Sequence, residues 1–158
     1  MAEYRRRVAE QRKDVLLYET EPLQEPLTFV GAVLHASSSA RDTDWFVTLS
    51  EVDVEGKILQ LSQGVIRARF RDSMRRPESL TPGERYRYGI DLWHTGIRIP
   101  AGGKLRVEVT SAAFPRFSRN LNTGGHNERE TEWVVAEQQV FHDGERPSYV
   151  ILPVIQAF

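Results

Sequence analysis

Four histidines, His35, His94, His126 and His142, are the only imidazoles in this 158-residue chain. No two of them stand at the His-x-His or i, i+4 spacing that puts ligands on one strand face or one helix face around a metal. They read as unrelated surface or strand-end residues; the alternative is a metal site gathered from separate strands of a β-sandwich. No Gly-x-Ser-x-Gly elbow occurs, and the strand-turn-helix context that such a nucleophile requires is absent. Ser37, Ser38, Ser39 and Ser111 therefore read as turn and strand-end residues. With no cysteine in the sequence, thiolate nucleophiles, disulfides and thiolate-ligated metals are excluded. Asp42-Thr43-Asp44 and Asp53-Val54-Glu55 offer the hard oxygens that a calcium ion takes. Acids at strand ends are more often solvated or bonded to turn amides, and that is the expectation here. No catalytic residue, metal ligand or cofactor-binding residue is assigned.

What remains is aromatic and arginine-rich. Residues 110–125, Thr-Ser-Ala-Ala-Phe-Pro-Arg-Phe-Ser-Arg-Asn-Leu-Asn-Thr-Gly-Gly, interrupt a strand-rich chain with a connection too long for a hairpin, and loops of that length tend to be functional. Phe114 and Phe117 are apolar anchors there and Pro115 stiffens the segment. Arg116, Arg119, Asn120 and Asn122 can bond the backbone groups that a strandless loop leaves unpaired. A structural buttress is the preferred reading over ligand contact. For Arg116→Ala, loss of folding without a partner supports that role, and a stable domain that no longer binds a partner refutes it. Trp45, Phe46, Trp93, Phe114, Phe117 and Trp133 can line a ligand face or form core. Periodicity puts Trp93 opposite Ile90 and Leu92, which marks it for an interface.

The elements that must position these residues alternate with the two-residue period of half-buried strands. Strands are expected at residues 15–18, 27–36, 44–54, 57–70, 84–93, 97–99, 104–111, 133–141 and 148–155. Residues 37–43 read as a turn, Glu55-Gly56 as a hairpin turn, and residues 71–83 as a polar loop. In the fourth strand the apolar parity switches between Leu61 and Ile66, which predicts a β-bulge at Gln63-Gly64. Residues 1–13 carry too few apolar residues to dock a helix and read as a linker or frayed segment. Eight or nine short strands without a convincing internal helix point to an all-β sandwich or barrel occupying residues 14–158.

Composition bounds the rest. The length suits one domain. Formal net charge is −1, which gives no global attraction to nucleic acid or membrane. The apolar runs are too short to span a bilayer, no apolar segment follows Arg5-Arg6-Arg7 as a signal peptide requires, and a cytoplasmic location fits. Arginine supplies 18 of the 21 basic residues, which suits forked ion pairs and stacking on aromatics, and which codon bias also explains.

Five strings in order complete the reading: residues 14–23 (Asp-Val-Leu-Leu-Tyr-Glu-Thr-Glu-Pro-Leu), 37–45 (Ser-Ser-Ser-Ala-Arg-Asp-Thr-Asp-Trp), 64–73 (Gly-Val-Ile-Arg-Ala-Arg-Phe-Arg-Asp-Ser), 90–93 (Ile-Asp-Leu-Trp) and 114–124 (Phe-Pro-Arg-Phe-Ser-Arg-Asn-Leu-Asn-Thr-Gly). Together they resemble the C-terminal domain of the X-Pro dipeptidyl-peptidase and cocaine-esterase family of serine hydrolases. The resemblance implies a jelly-roll β-sandwich of the galactose-binding type that packs on an α/β-hydrolase domain and helps to wall its active-site cleft. That hydrolase domain holds the family's Ser-His-Asp triad and has no counterpart here, so the chain is expected to be inactive alone. The implied partner is the hydrolase domain, in cis or in trans, and a bare docking face also favours homo-oligomers. The alternative is a free-standing carbohydrate- or ligand-binding module.

Overall fold

The computed structural model describes residues 11–23, 31–93 and 97–152. Among them the chain forms eight strands, β1 (Val15–Glu19), β2 (Ala32–Ser38), β3 (Asp44–Val52), β4 (Ile58–Arg67), β5 (Arg85–Ile90), β6 (Lys104–Thr110), β7 (Gln138–Val140) and β8 (Tyr149–Val150), and a 3-10 turn at Ala68–Phe70. One antiparallel sheet runs β1-β6-β3-β4, and the other runs β5-β2-β7 with β8 also on β2. The inward faces meet in one core, where Trp45, Val47 and Leu49 of β3 and Leu105 and Val109 of β6 lie against Ala32, Leu34 and Ala36 of β2 and Tyr88 and Ile90 of β5. The all-β sandwich expected from the strand pattern is the architecture found.

Alternation explains most of this. On β6, Leu105 and Val109 face the core, while Arg106 on the other face is held by Glu19 of β1. On β5, Tyr88 and Ile90 point inward, Leu92 just beyond it is also buried, and Arg85, Arg87 and Asp91 are exposed. The β3–β4 hairpin closes through Asp53, whose Oδ1 accepts the Glu55 and Lys57 amides (2.9 and 2.8 Å), and Gly56 supplies φ +78°.

The bulge lies elsewhere than expected. Leu49 pairs with Ser62 and Ser50 with Gln60, so the residue without a partner is Leu61, whose side chain packs against the core. Gln63 and Gly64 are regularly paired with Thr48 and Val47. Gly64 is glycine for another reason: a Cβ there would sit 2.3 Å from the Asp91 carbonyl oxygen and 2.6 Å from Ile90 Cγ2, where β4 crosses the end of β5.

Other boundaries move as well. Ser37 and Ser38 belong to β2 rather than to a turn, and residues 97–99 form no strand although Ile99 is fully buried. The expected strand at 133–141 shrinks to β7, because the Val134 amide bonds Leu121 O (2.9 Å) and leaves no ladder to join. Of the strand expected at 148–155, β8 is the described part, and residues 153–155 lie outside the described residues, as do His94, residues 1–10 of the N-terminal segment and residues 27–30. Among the described residues, no helix is long and apolar enough to cross a membrane.

Gly64→Ala is expected to destabilise the domain by about 2–3 kcal/mol, since the clash is with backbone. Gly89→Ala, with nothing within 4 Å of its Cβ position, should be neutral or slightly stabilising, and thermal melts of the two variants check the contrast. Burial pushes the Tyr88 hydroxyl up to about 12. An unfolded tyrosine titrates near ~10, so this contribution to stability is complete below that pH and is lost as pH rises through the folded value. Denaturant titrations should show about 2–3 kcal/mol lost across this window, a slope that Tyr88→Phe removes.

Candidate functional site

At one end of β3 two carboxylates are out of solvent: Asp42 and Asp44 are 0 % and 3 % exposed. The hairpin register sets Arg67, the last residue of β4, opposite Asp44. Its guanidinium forks onto that carboxylate through Nε to Oδ1 (2.8 Å) and Nη2 to Oδ2 (3.2 Å). This contact raises the Arg67 pKa above its ordinary value. Two residues on, in the 3-10 turn, the Arg69 amide donates to Asp42 Oδ1 (3.0 Å) and Arg69 Nε lies 3.1 Å from Asp42 Oδ2. Asn120 Nδ2 then bridges the acids, donating to Asp42 Oδ2 (3.0 Å) and Asp44 Oδ1 (2.8 Å). The carboxylates are neither solvated nor available to calcium, because arginine and amide donors occupy their oxygens.

The loop after β6 is tied to this cluster group by group. Asn120 Oδ1 accepts the Asn122 amide (2.9 Å), and Asn122, at φ +64°, donates through Nδ2 to Val134 O (2.9 Å). Asn127 Oδ1 accepts the Leu121 amide (3.2 Å), and its Nδ2 donates to Arg119 O (3.2 Å). Arg69 Nη1 donates to Gly125 O (2.8 Å). The glycine pair is required locally: Gly124 has φ +83°, and a Cβ on Gly125 would fall 1.6 Å from Glu130 Oε1, which accepts the His126 amide (3.1 Å).

The residues singled out by sequence divide into groups. Phe117 lies on Phe46 with ring centroids 5.1 Å apart, covering the outer face of β3. Arg116 donates to Gln63 Oε1 (3.0 Å) from an exposed position, and Gln63 in turn donates to Thr48 Oγ1 (2.8 Å). Asn120 and Asn122 sit in the network above. Arg119 stacks over Phe114 (4.9 Å), and Phe114 is exposed. Trp45 is not with them: it points into the core beside Tyr88, centroids 5.8 Å apart. Trp93, 71 % exposed at φ +64°, follows β5 with its amide on Asp91 Oδ1 (2.7 Å). Trp133, Val134 and Val135 form a further exposed apolar run. Sequence reasoning missed Asp42, Asp44, Arg67 and Arg69 as the anchor. The signal was the matched Asp-x-Asp and Arg-x-Arg spacing on strands joined by one hairpin.

The family model for the X-Pro dipeptidyl-peptidase C-terminal non-catalytic domain matches residues 2–151. The chain belongs to this family. Cocaine esterase of Rhodococcus sp. (strain MB1 Bresler) is 37% identical over 150 residues, covering 92% of this chain and 26% of the relative. The structure of an alpha-amino acid ester hydrolase superposes with a TM-score of 0.89 at 32% identity, over 94% of this chain and 27% of that one. An aminopeptidase from a marine sediment Thaumarchaeota archaeon gives a TM-score of 0.86 at 29% identity, over 96% and 27%. The chain thus spans about a quarter of the length of these relatives. The match agrees with the five-part resemblance.

Asn120→Ala leaves two buried carboxylates short of a donor and is expected to cost about 2–4 kcal/mol. Arg116→Ala removes an exposed contact and should cost below about 1 kcal/mol. Equal losses in denaturant melts would contradict this ordering.

Proposed function

We propose that this chain is the part of an X-Pro dipeptidyl-peptidase or cocaine-esterase-like α/β-hydrolase that docks on the hydrolase domain, stabilises it and helps to shape its active-site cleft. The observation that carries the reading is apolar surface held in fixed positions outside the core: Trp93, Phe114, Trp133, Val134 and Val135 are all exposed. Isolated exposed apolar residues are ordinary, but a consecutive Trp-Val-Val run pinned through Asn122 to the loop network is costly to leave wet. Aromatic anchors of this kind dominate the energetics of protein contacts. That the relatives are about four times longer supplies the source of the covering surface.

In this reading the buried Asp-Arg-Asn cluster is the buttress. It fixes the loop so that Phe114, Arg119 and the 133–135 run meet the hydrolase domain in a set arrangement. The galactose-binding type of jelly roll and a cytoplasmic location belong to the same reading.

Two measurements test it. The chain alone should hydrolyse neither esters nor X-Pro dipeptide substrates, and turnover that survives purification to homogeneity overturns the reading. Fused to the catalytic portion of the Rhodococcus cocaine esterase in place of its matched region, the chain should restore thermal stability and ester hydrolysis. Changing Trp93 and Trp133 to Ser together should lower the melting temperature of the fusion by several degrees while leaving that of the free chain nearly unchanged.

A further inference from the structure

The two open edges of the sandwich are closed differently. On the β4 and β5 side, Gly64 lets the strands touch at backbone distance. On the opposite side, between β1 and the β7 and β8 edge, the sheets part to leave a half-open cavity of about 230 Å³. Its walls are Leu34, Val47, Val107, Val109, Val140 and Val150, contributed by both sheets, and no Asp, Glu, Lys or Arg lines it among the described residues. An apolar cavity of ~150 Å³ is enough to take up benzene, so the space suits a molecule of about that size.

Among the described residues the lining side chains with polar groups are Tyr18, His142, Ser148 and Tyr149. Ser148 Oγ is already committed, accepting the His35 amide (2.9 Å) and donating to Phe141 O (2.8 Å). Tyr18 of β1 and His142, just past β7, meet across the gap between the sheets: the hydroxyl is 2.8 Å from Nε2, and the rings stand edge to face at 5.2 Å. A tyrosine hydroxyl engaged in one hydrogen bond retains capacity for another. Burial also raises the Tyr18 pKa, which keeps the group neutral.

We propose that this cavity binds a small neutral amphiphile, an alcohol or phenol of about six to eight carbons, with its hydrocarbon against the valine walls and its hydroxyl on the Tyr18–His142 pair. With no Asp, Glu, Lys or Arg among the described lining residues to pair with an ion, the apolar walls select against carboxylates and ammonium ions. The site is separate from the loop network and from the exposed apolar run, so it stands whether or not the chain docks on a hydrolase domain.

The test is methyl NMR on the full chain with p-cresol, toluene and benzoate as probes. p-Cresol should shift the methyls of Leu34, Val47, Val109 and Val150 saturably, with a dissociation constant near or below ~1 mM, and benzoate should not. Tyr18→Phe should weaken p-cresol about fivefold while leaving toluene unchanged, the signature of one lost hydrogen bond. Val140→Phe and Val107→Phe, two half-buried wall positions, should each fill the cavity and abolish binding of both neutral probes. An unchanged methyl spectrum away from the site shows that a variant is folded. The proposal is overturned if no saturable shift appears up to about 10 mM, if the shifts fall outside these walls, if both folded filling variants still bind, or if nuclear Overhauser contacts show the chain's own residues filling the space.

Discussion

Two buried carboxylates at the start of β3 impose the strictest condition on this fold. Asp42 and Asp44 have lost their water, and an unpaired carboxylate in that position would cost several kcal/mol. Their donors come from residues 23, 27, 78 and 76 positions away along the chain: Arg67 on Asp44, Arg69 on Asp42, and Asn120 on both acids. The hairpin and the long loop must therefore both be in place before the acids are satisfied. Buried ion pairs contribute little net stability, but removing one member leaves the others uncompensated, so such a cluster ties distant segments to one arrangement.

That condition reaches back into the sheet. Paired outward from the turn without an irregularity, β3 and β4 would set Asp44 opposite Ile66, because Val52 faces Ile58. An aspartate would then face an apolar residue, and Arg67 would project from the wrong place. The extra residue at Leu61 shifts the register by one and delivers Arg67 to Asp44 while returning Ile66 to the core opposite Trp45. The bulge thus serves the core and the ion pair at once.

This coupling explains which parts were legible in the sequence. Period-two alternation located β3, β5 and β6, a short apolar run marked β1, and parity alone revealed that β4 carries an irregularity. Parity could not place it, because Leu61 and Gln63 are equally compatible with the switch, and only the cross-strand partner decides. Residues 133–137 misled for the opposite reason: Trp133, Val134 and Val135 have strand composition but lie exposed and bond a loop. The loop at 110–125 was recognisable from its length and its asparagines. The acids it serves read as solvated strand ends, since burial of a charge is a property of the assembled hairpin and loop.

Trp93 carries the last step. A non-glycine residue at φ +64° costs on the order of 1 kcal/mol, and the hydrogen bond from its amide to Asp91 offsets part of this. The Trp93 side chain is not part of the core, which Ile90 and Leu92 fill on that side. The turn instead presents an indole to solvent, and Asn122, also at φ +64°, holds Val134 outside in the same way. Asparagine adopts this conformation readily, so the strained residue is Trp93, and strain that leaves an indole in solvent is poorly explained by the stability of the isolated domain. In the proposed docking role, a partner surface over Trp93 and the 133–135 run offsets the cost of leaving this apolar surface in water, a cost for which the fold of the domain by itself gives no return.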